Sequence, residues 1–140
     1  MKNLIFLAII LFLNNIYSQD CKQFQEGVFK IEVGYGNMSI ERKGNFQLEK
    51  SEDFGALYLQ KIEPISGCEY ILKRYKVILL GNLPQPDMDE RIKVEIYKVE
   101  ENNFFYYAQS LGVDLKLDGK FVKMSDKISK EFEEILAKEN

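Results

Sequence analysis

Apolar and polar residues alternate with a period of two along much of this chain, and turn residues interrupt the pattern every few positions. "RIKVEIYKVE" is the cleanest case: Ile92, Val94 and Ile96 point one way while Lys93, Glu95 and Tyr97 point the other. "FKIEV" repeats it with Phe29, Ile31 and Val33 against Lys30 and Glu32, and "FQLEK" sets Phe46 and Leu48 against Gln47 and Glu49. Side chains on successive strand residues leave opposite faces of a sheet. This alternation therefore predicts antiparallel strands with one face on a core and one in water. Further strands are expected at 38–43, 56–62, 69–79, 104–109 and 120–124, rich in branched and aromatic residues. Turn signals fall at Gly34–Asn37, Gly44-Asn45, Asp53–Gly55, Ser66-Gly67, Asn102-Asn103 and Asp118-Gly119. About eight short strands with short connections predict a mainly β fold, an antiparallel meander closed as a small barrel or folded as a sandwich.

The period changes near the C-terminus. In "SDKISKEFEEILAKEN" the apolar residues Ile128, Phe132, Ile135 and Leu136 fall on one helical stripe. A helix over about 126–138 is expected on the outside of the β-structure, with Ser125 as its N-cap and Asp126 in its first turn. Its polar face carries both signs of charge and offers no basic surface for an anionic membrane.

The N-terminus reads as a secretory leader over 1–18. Lys2 precedes an apolar run, Leu4–Leu13, and a polar tail places Ile16 and Ser18 before Gln19. The run falls short of the roughly 20 residues that cross a bilayer. Gln19 and Asp20 are not the small residues that lipid attachment to Cys21 would need, so no stable membrane anchor is expected. Residues 19–140 then form a single domain, exported to the periplasm or secreted. In that compartment Cys21 and Cys68, the two cysteines, are expected to pair.

Composition narrows the chemistry. The net charge is −3, with signs mixed along the chain, so no basic block is available for nucleic acid. There is no histidine and no tryptophan, which removes imidazole metal sites and histidine-based triads. With the cysteines bridged, acid–base work would rest on carboxylates, and no catalytic motif, cofactor motif or metal motif stands out. Asp87, Asp89 and Glu90 in "GNLPQPDMDE" offer hard oxygen ligands but lack the glycine and distal glutamate of a calcium loop. A mobile, solvated surface loop is expected there.

"FFYY" is the densest aromatic cluster. Phe104 and Tyr106 share one face of their strand and Phe105 and Tyr107 the other, which predicts a strand covered on both sides, with the C-terminal helix as the candidate cover. Alternatively one pair lines a cavity. On that reading Phe104 and Tyr106, with Ile92, Val94 and Ile96, are the candidate ligand-binding residues for a small apolar ligand.

The order "CKQFQEGVF", "ERKGNFQLEK", "IEPISGCEYIL" resembles a family of small exported Bacteroidota proteins of unknown function. The residues that carry the resemblance are Cys21, Phe24, Gly27 and Phe29, then Arg42, Gln47 and Glu49, then Cys68, Tyr70 and Leu72, with a "VEI" strand at Val94–Ile96. Some members carry a DNA topoisomerase IV label, which an acidic, exported chain of this size does not support. Gly27-Val28-Phe29 opening a meander that ends in a helix also looks like a lipocalin-type barrel, with phenylalanine in the place of the usual tryptophan. The expected role is that of a non-catalytic binding protein with a lipocalin-like barrel. A structural or protein-interaction module of the cell envelope is the alternative, and an enzyme using carboxylates the third reading.

Overall fold

A computed structural model of the chain describes residues 20–32 and 36–140. The leader expected over 1–18, Gln19, and the Val33–Tyr35 part of the first turn region lie outside the described residues. Eight antiparallel strands run in sequence order and close into a barrel: β1 (Gly27–Glu32), β2 (Met38–Lys43), β3 (Phe46–Ser51), β4 (Ala56–Pro64), β5 (Glu69–Leu79), β6 (Arg91–Glu100), β7 (Asn103–Ser110) and β8 (Lys116–Ser125). Strand β1 pairs with β2 on one side and with β8 on the other. The expected meander is thus a closed barrel of the lipocalin-like kind and not a sandwich, which leaves no free sheet edge. Gly27 makes the closure possible: at φ +129°, an added Cβ would lie 2.4 Å from the Ser125 carbonyl oxygen of β8.

The two ends of the barrel differ. The turns β2–β3, β4–β5 and β6–β7 gather at one end, and a 3-10 turn, Lys22–Phe24, crosses beneath them. The Cys21–Cys68 disulfide ties that turn to the β4–β5 connection across 47 residues, with Cα atoms 5.4 Å apart. The opposite end carries the longer β5–β6 and β7–β8 connections, whose residues Leu111, Val113 and Leu115 are exposed.

Inside the closed end, Phe24, Phe29, Phe104 and Phe121 pack with Ile40, Val94 and Ile96 into the main core. A second core lies outside the barrel, under helix α1 (Lys130–Ala137). There Phe132, Ile135, Leu136 and the preceding Ile128 cover Leu48, Leu57 and Leu59 of β3 and β4. The expected apolar stripe is right, but the helix starts later than the 126 expected. The Ser125 hydroxyl instead accepts from Lys127 N–H at 3.0 Å, which makes a turn. Ser129 is the N-cap, its hydroxyl accepting from Phe132 N–H at 3.2 Å. Its own N–H and O–H donate to the Glu41 carboxylate on β2, at 2.7 and 2.8 Å. One residue therefore both starts the helix and fixes it to the barrel wall. Ser129→Ala is expected to cost about 1–2 kcal/mol, the upper part of the range for an N-cap because Glu41 also loses the hydroxyl donor while keeping the backbone N–H. Urea unfolding of the variant measures it.

The helix position corrects two expectations. It covers β3 and β4, not the outer face of β7, where Phe105 and Tyr107 sit half-buried beside Tyr97, with the ammonium groups of Lys98 and Lys116 over their rings. A dry outer face on β3 also turns the "FQLEK" pattern round. Phe46 and Leu48 face the helix, and Gln47 and Glu49 face the barrel interior and not water.

Candidate functional site

The inward turn of β3 places polar side chains on the inner wall. Cross-strand register aligns Arg42 of β2 with Gln47, Gln47 with Gln60 of β4, and Gln60 with Arg74 of β5. These residues share one face of the sheet and form a belt around half of the interior. Gln47 Nε2 donates to Gln60 Oε1 at 3.0 Å. Arg74 Nη2 donates to Glu90 Oε2 at 2.9 Å, and the Ser110 hydroxyl reaches Glu90 Oε1 at 3.4 Å. The belt thus rises from the stapled end at Arg42 to the mouth at Glu90 and Ser110. In doing so it anchors one end of the β5–β6 connection, which was expected to be free. The Glu90 carboxylate is turned to Arg74, and Asp87 accepts from Asp89 N–H at 2.9 Å; no group of three metal-ligating side chains occurs among the described residues.

At the stapled end, Phe24 is the hub of an aromatic cluster. Its ring centroid lies 4.6 Å from Phe29, 4.8 Å from Phe121 and 5.2 Å from Phe104. The Arg42 guanidinium carbon is 4.3 Å from the centre of the Phe24 ring and 4.2 Å from that of Tyr70, and the two ring centres are 6.1 Å apart, so the rings touch the cation from two adjacent sides. Arg42 is only 4 % exposed, and no salt bridge joins it to a carboxylate among the described residues. Burial lowers its pKa and raises that of Tyr70, while the charge of each neighbour opposes these shifts.

Six buried polar atoms of the barrel wall have no hydrogen-bond partner among the described residues: Arg42 Nε and Nη1, Gln47 Oε1, Ser51 Oγ, Tyr70 OH and Arg74 Nε. Buried polar groups are ordinarily satisfied, each orphan costing about 1–3 kcal/mol. Of their residues, Gln47, Ser51 and Arg74 lie farther along the wall, while Arg42 and Tyr70 meet at the stapled end. A cavity of about 320 Å³ opens at this position, lined by Phe24, Arg42, Asn45, Ile62, Tyr70 and Ile96 among others. A larger hollow, about 530 Å³, lies between the end of α1 and the β2–β3 turn, but none of the six orphaned atoms lines it.

Glu49 also faces inward, next to Arg74, Glu90 and Gln60. Burial raises its pKa, the Arg74 charge opposes the rise and the Glu90 charge adds to it. A carboxyl group that binds its proton more tightly folded than unfolded stabilises the fold at low pH. That contribution is lost as pH climbs from the ordinary carboxylate range through the raised folded value. Glu49→Gln is therefore expected to flatten this part of the pH profile and to be more stable than the parent at neutral pH. Denaturant midpoints between about pH 4 and 8 check it.

The residues expected to bind a ligand all face the interior, but they do not gather at the cavity. Ile96 lines it. Phe104 and Val94 are packed within the aromatic core, and half-buried Ile92 packs against that core. Tyr106 stacks on Phe121 at 4.0 Å across Gly119, where a Cβ would come within 2.4 Å of the tyrosine ring. Sequence reasoning did not select Arg42, Gln47, Gln60 or Tyr70 as site residues. The available signal was a polar residue at an inward position on each of four strands, once the reversed facing of β3 is known. Phe24, Arg42, Gln47, Glu49 and Tyr70, noted above for their order along the chain, all face the barrel interior. Compared with family models, curated proteins and solved structures, the chain has no match.

Proposed function

We propose that the protein is an exported, lipocalin-like binding protein that holds a small molecule inside the stapled end of its barrel. The observation that carries this reading is Arg42, a buried cation with no salt bridge among the described residues, set beside Tyr70 in the wall of a cavity. A bound molecule would occupy the space and supply the counter-charge. The cavity size falls at the low end of the range for small-molecule sites, roughly 300–1,000 Å³. The ligand is small, with an apolar body against Phe24, Ile62 and Ile96 and a polar end toward the arginine. This refines the expectation of a purely apolar ligand. Export is supported by the leader pattern and by the Cys21–Cys68 disulfide, and among the described residues no helix is long and apolar enough to cross a membrane. The reading assigns no catalytic step and no cofactor to the chain.

Native mass spectrometry of protein isolated from its own host tests the reading. A discrete mass increment lost on denaturation is expected, and an intact mass beginning at Gln19 would accompany export. Protein that is ligand-free in every preparation would refute it. A protein-interaction module of the envelope is the second reading, favoured by exposed Leu111, Val113, Leu115 and Leu117 near the barrel mouth. Cross-linking in cells to one specific neighbour would support that alternative.

A further inference from the structure

Resting on the binding-protein reading, we infer that the ligand is a monoanion, a small organic carboxylate whose head group pairs with Arg42 and whose short apolar body lies against Phe24, Ile62 and Ile96. Several observations combine. Arg42 lines the cavity, and the Phe24 and Tyr70 rings touch its guanidinium from two adjacent sides. Its Nε and Nη1 are buried without a hydrogen-bond partner among the described residues. A carboxylate supplies an acceptor and the missing charge, whereas a neutral carbonyl or hydroxyl supplies only the acceptor.

The charge count of the lining sets the valence of the guest. Among the described lining residues Arg42 is the one cation, and Glu26, paired with Lys43 at 3.8 Å, is the one carboxylate. A single negative charge neutralises the arginine. A second would stay uncompensated and face Glu26, which disfavours phosphate monoesters and dicarboxylates. The remaining lining is mixed: Cys21 of the disulfide, Phe24, Ile62, Pro64 and Ile96 accept a hydrocarbon body, and Asn45 and Ser66 lie toward the turns. Among the described residues no carboxylate forms a salt bridge with Arg42. A buried arginine that served only the fold would be cheaper with one.

The experiment titrates the disulfide-bonded chain with straight-chain acids from butanoate to octanoate and, separately, with the matching primary amides. Calorimetry gives affinity, and the ¹⁵N–¹H resonance of Arg42 Nε reports contact. Acids are expected to bind about tenfold or more tightly than the amides of equal length, the worth of a charge-assisted hydrogen bond, and to shift the Arg42 signal. Arg42→Met is expected to remove the difference while keeping the amide affinity. Arg42→Lys, which keeps the charge but not the plane, is expected to retain part of the difference. Acid and amide binding equally to the parent protein would overturn the carboxylate assignment and leave the binding-protein reading standing. A preference for acid that survives in Arg42→Met would also overturn it, because the charge would be sensed elsewhere. No binding by any member, with the Arg42 signal unmoved, would overturn the assignment. Ligand-free protein in the mass measurement would bring down the binding-protein reading itself.

Discussion

Replacing both cysteines, Cys21→Ser with Cys68→Ser, is expected to lower the unfolding free energy by about 4 kcal/mol, the chain-entropy value for a loop of this length. The bridge closes a separation of 47 residues, so the unfolded chain gains most of the freedom it removes. The effect reaches beyond the unfolded state. The 3-10 turn that carries Phe24 has few other ties to the barrel: Cys21 O accepts within the turn itself, and the Gln23 carbonyl accepts from Lys123 Nζ at 2.7 Å. Without the bridge that turn is held mainly by the Phe24 ring. The variant should therefore lose the cavity floor before it loses the barrel, with Arg42 becoming solvated at denaturant concentrations where β-structure persists. Urea unfolding followed by far-ultraviolet circular dichroism and by Arg42 Nε exchange separates the two events. A loss under about 1 kcal/mol with one coincident transition would show that the staple adds little.

Phe24→Ala is expected to cost about 3–5 kcal/mol, the range for truncating a buried phenylalanine, and to abolish ligand binding. Phe24 is 2 % exposed and touches Phe29, Phe104, Phe121 and Tyr70 as well as the Arg42 guanidinium. Its removal leaves a void among rings that belong to four different strands, β1, β5, β7 and β8, so the walls cannot close on it together. One of the two rings against Arg42 is lost at the same time, and with it part of the cavity wall. Phe24→Leu keeps much of the volume but no ring face. It is expected to restore most of the stability and less of the binding. Equal recovery of both would mean that the ring acts by bulk alone.

Much of the fold is legible in the sequence because strand period and turn chemistry are local. The expected strands at 69–79 and 91–100 have the bounds observed, and the meander follows from short turns between consecutive strands, while its closure is seen only in the pairing of β1 with β8. Direction is a different matter. Alternation separates two faces and does not say which is inside, and β3 is the case in point. Because α1 seals its outer face, Phe46 and Leu48 point outward and Gln47 points in. The helix also buries five consecutive residues of β4, Ala56–Gln60, a signature of a strand covered on both faces. Alternation fails again in β6, where the register shifts between Ile96 and Lys98 and both Ile96 and Val99 join the inner core. A bulge adds one residue and restores the facing, and no propensity marks it beforehand.

The site was less legible than the fold, for a physical reason. The aromatic and aliphatic residues chosen from β6 and β7 are the ones that pack best, so Phe104 and Val94 filled the core and left no space beside themselves. The cavity formed where packing is prevented, around a charged group on β2 that faces inward. Arg42 is one of several lysines and arginines in the sequence, and only cross-strand register shows that it shares a wall with Gln47, Gln60 and Arg74.

The most direct test of the central claim is a high-resolution crystal structure of the protein recovered from its native host without denaturation. The account predicts an ordered organic molecule in the stapled end, in hydrogen-bond contact with the Arg42 guanidinium and satisfying neighbouring atoms such as Tyr70 OH. A cavity in which those same atoms are satisfied by ordered water alone would contradict it.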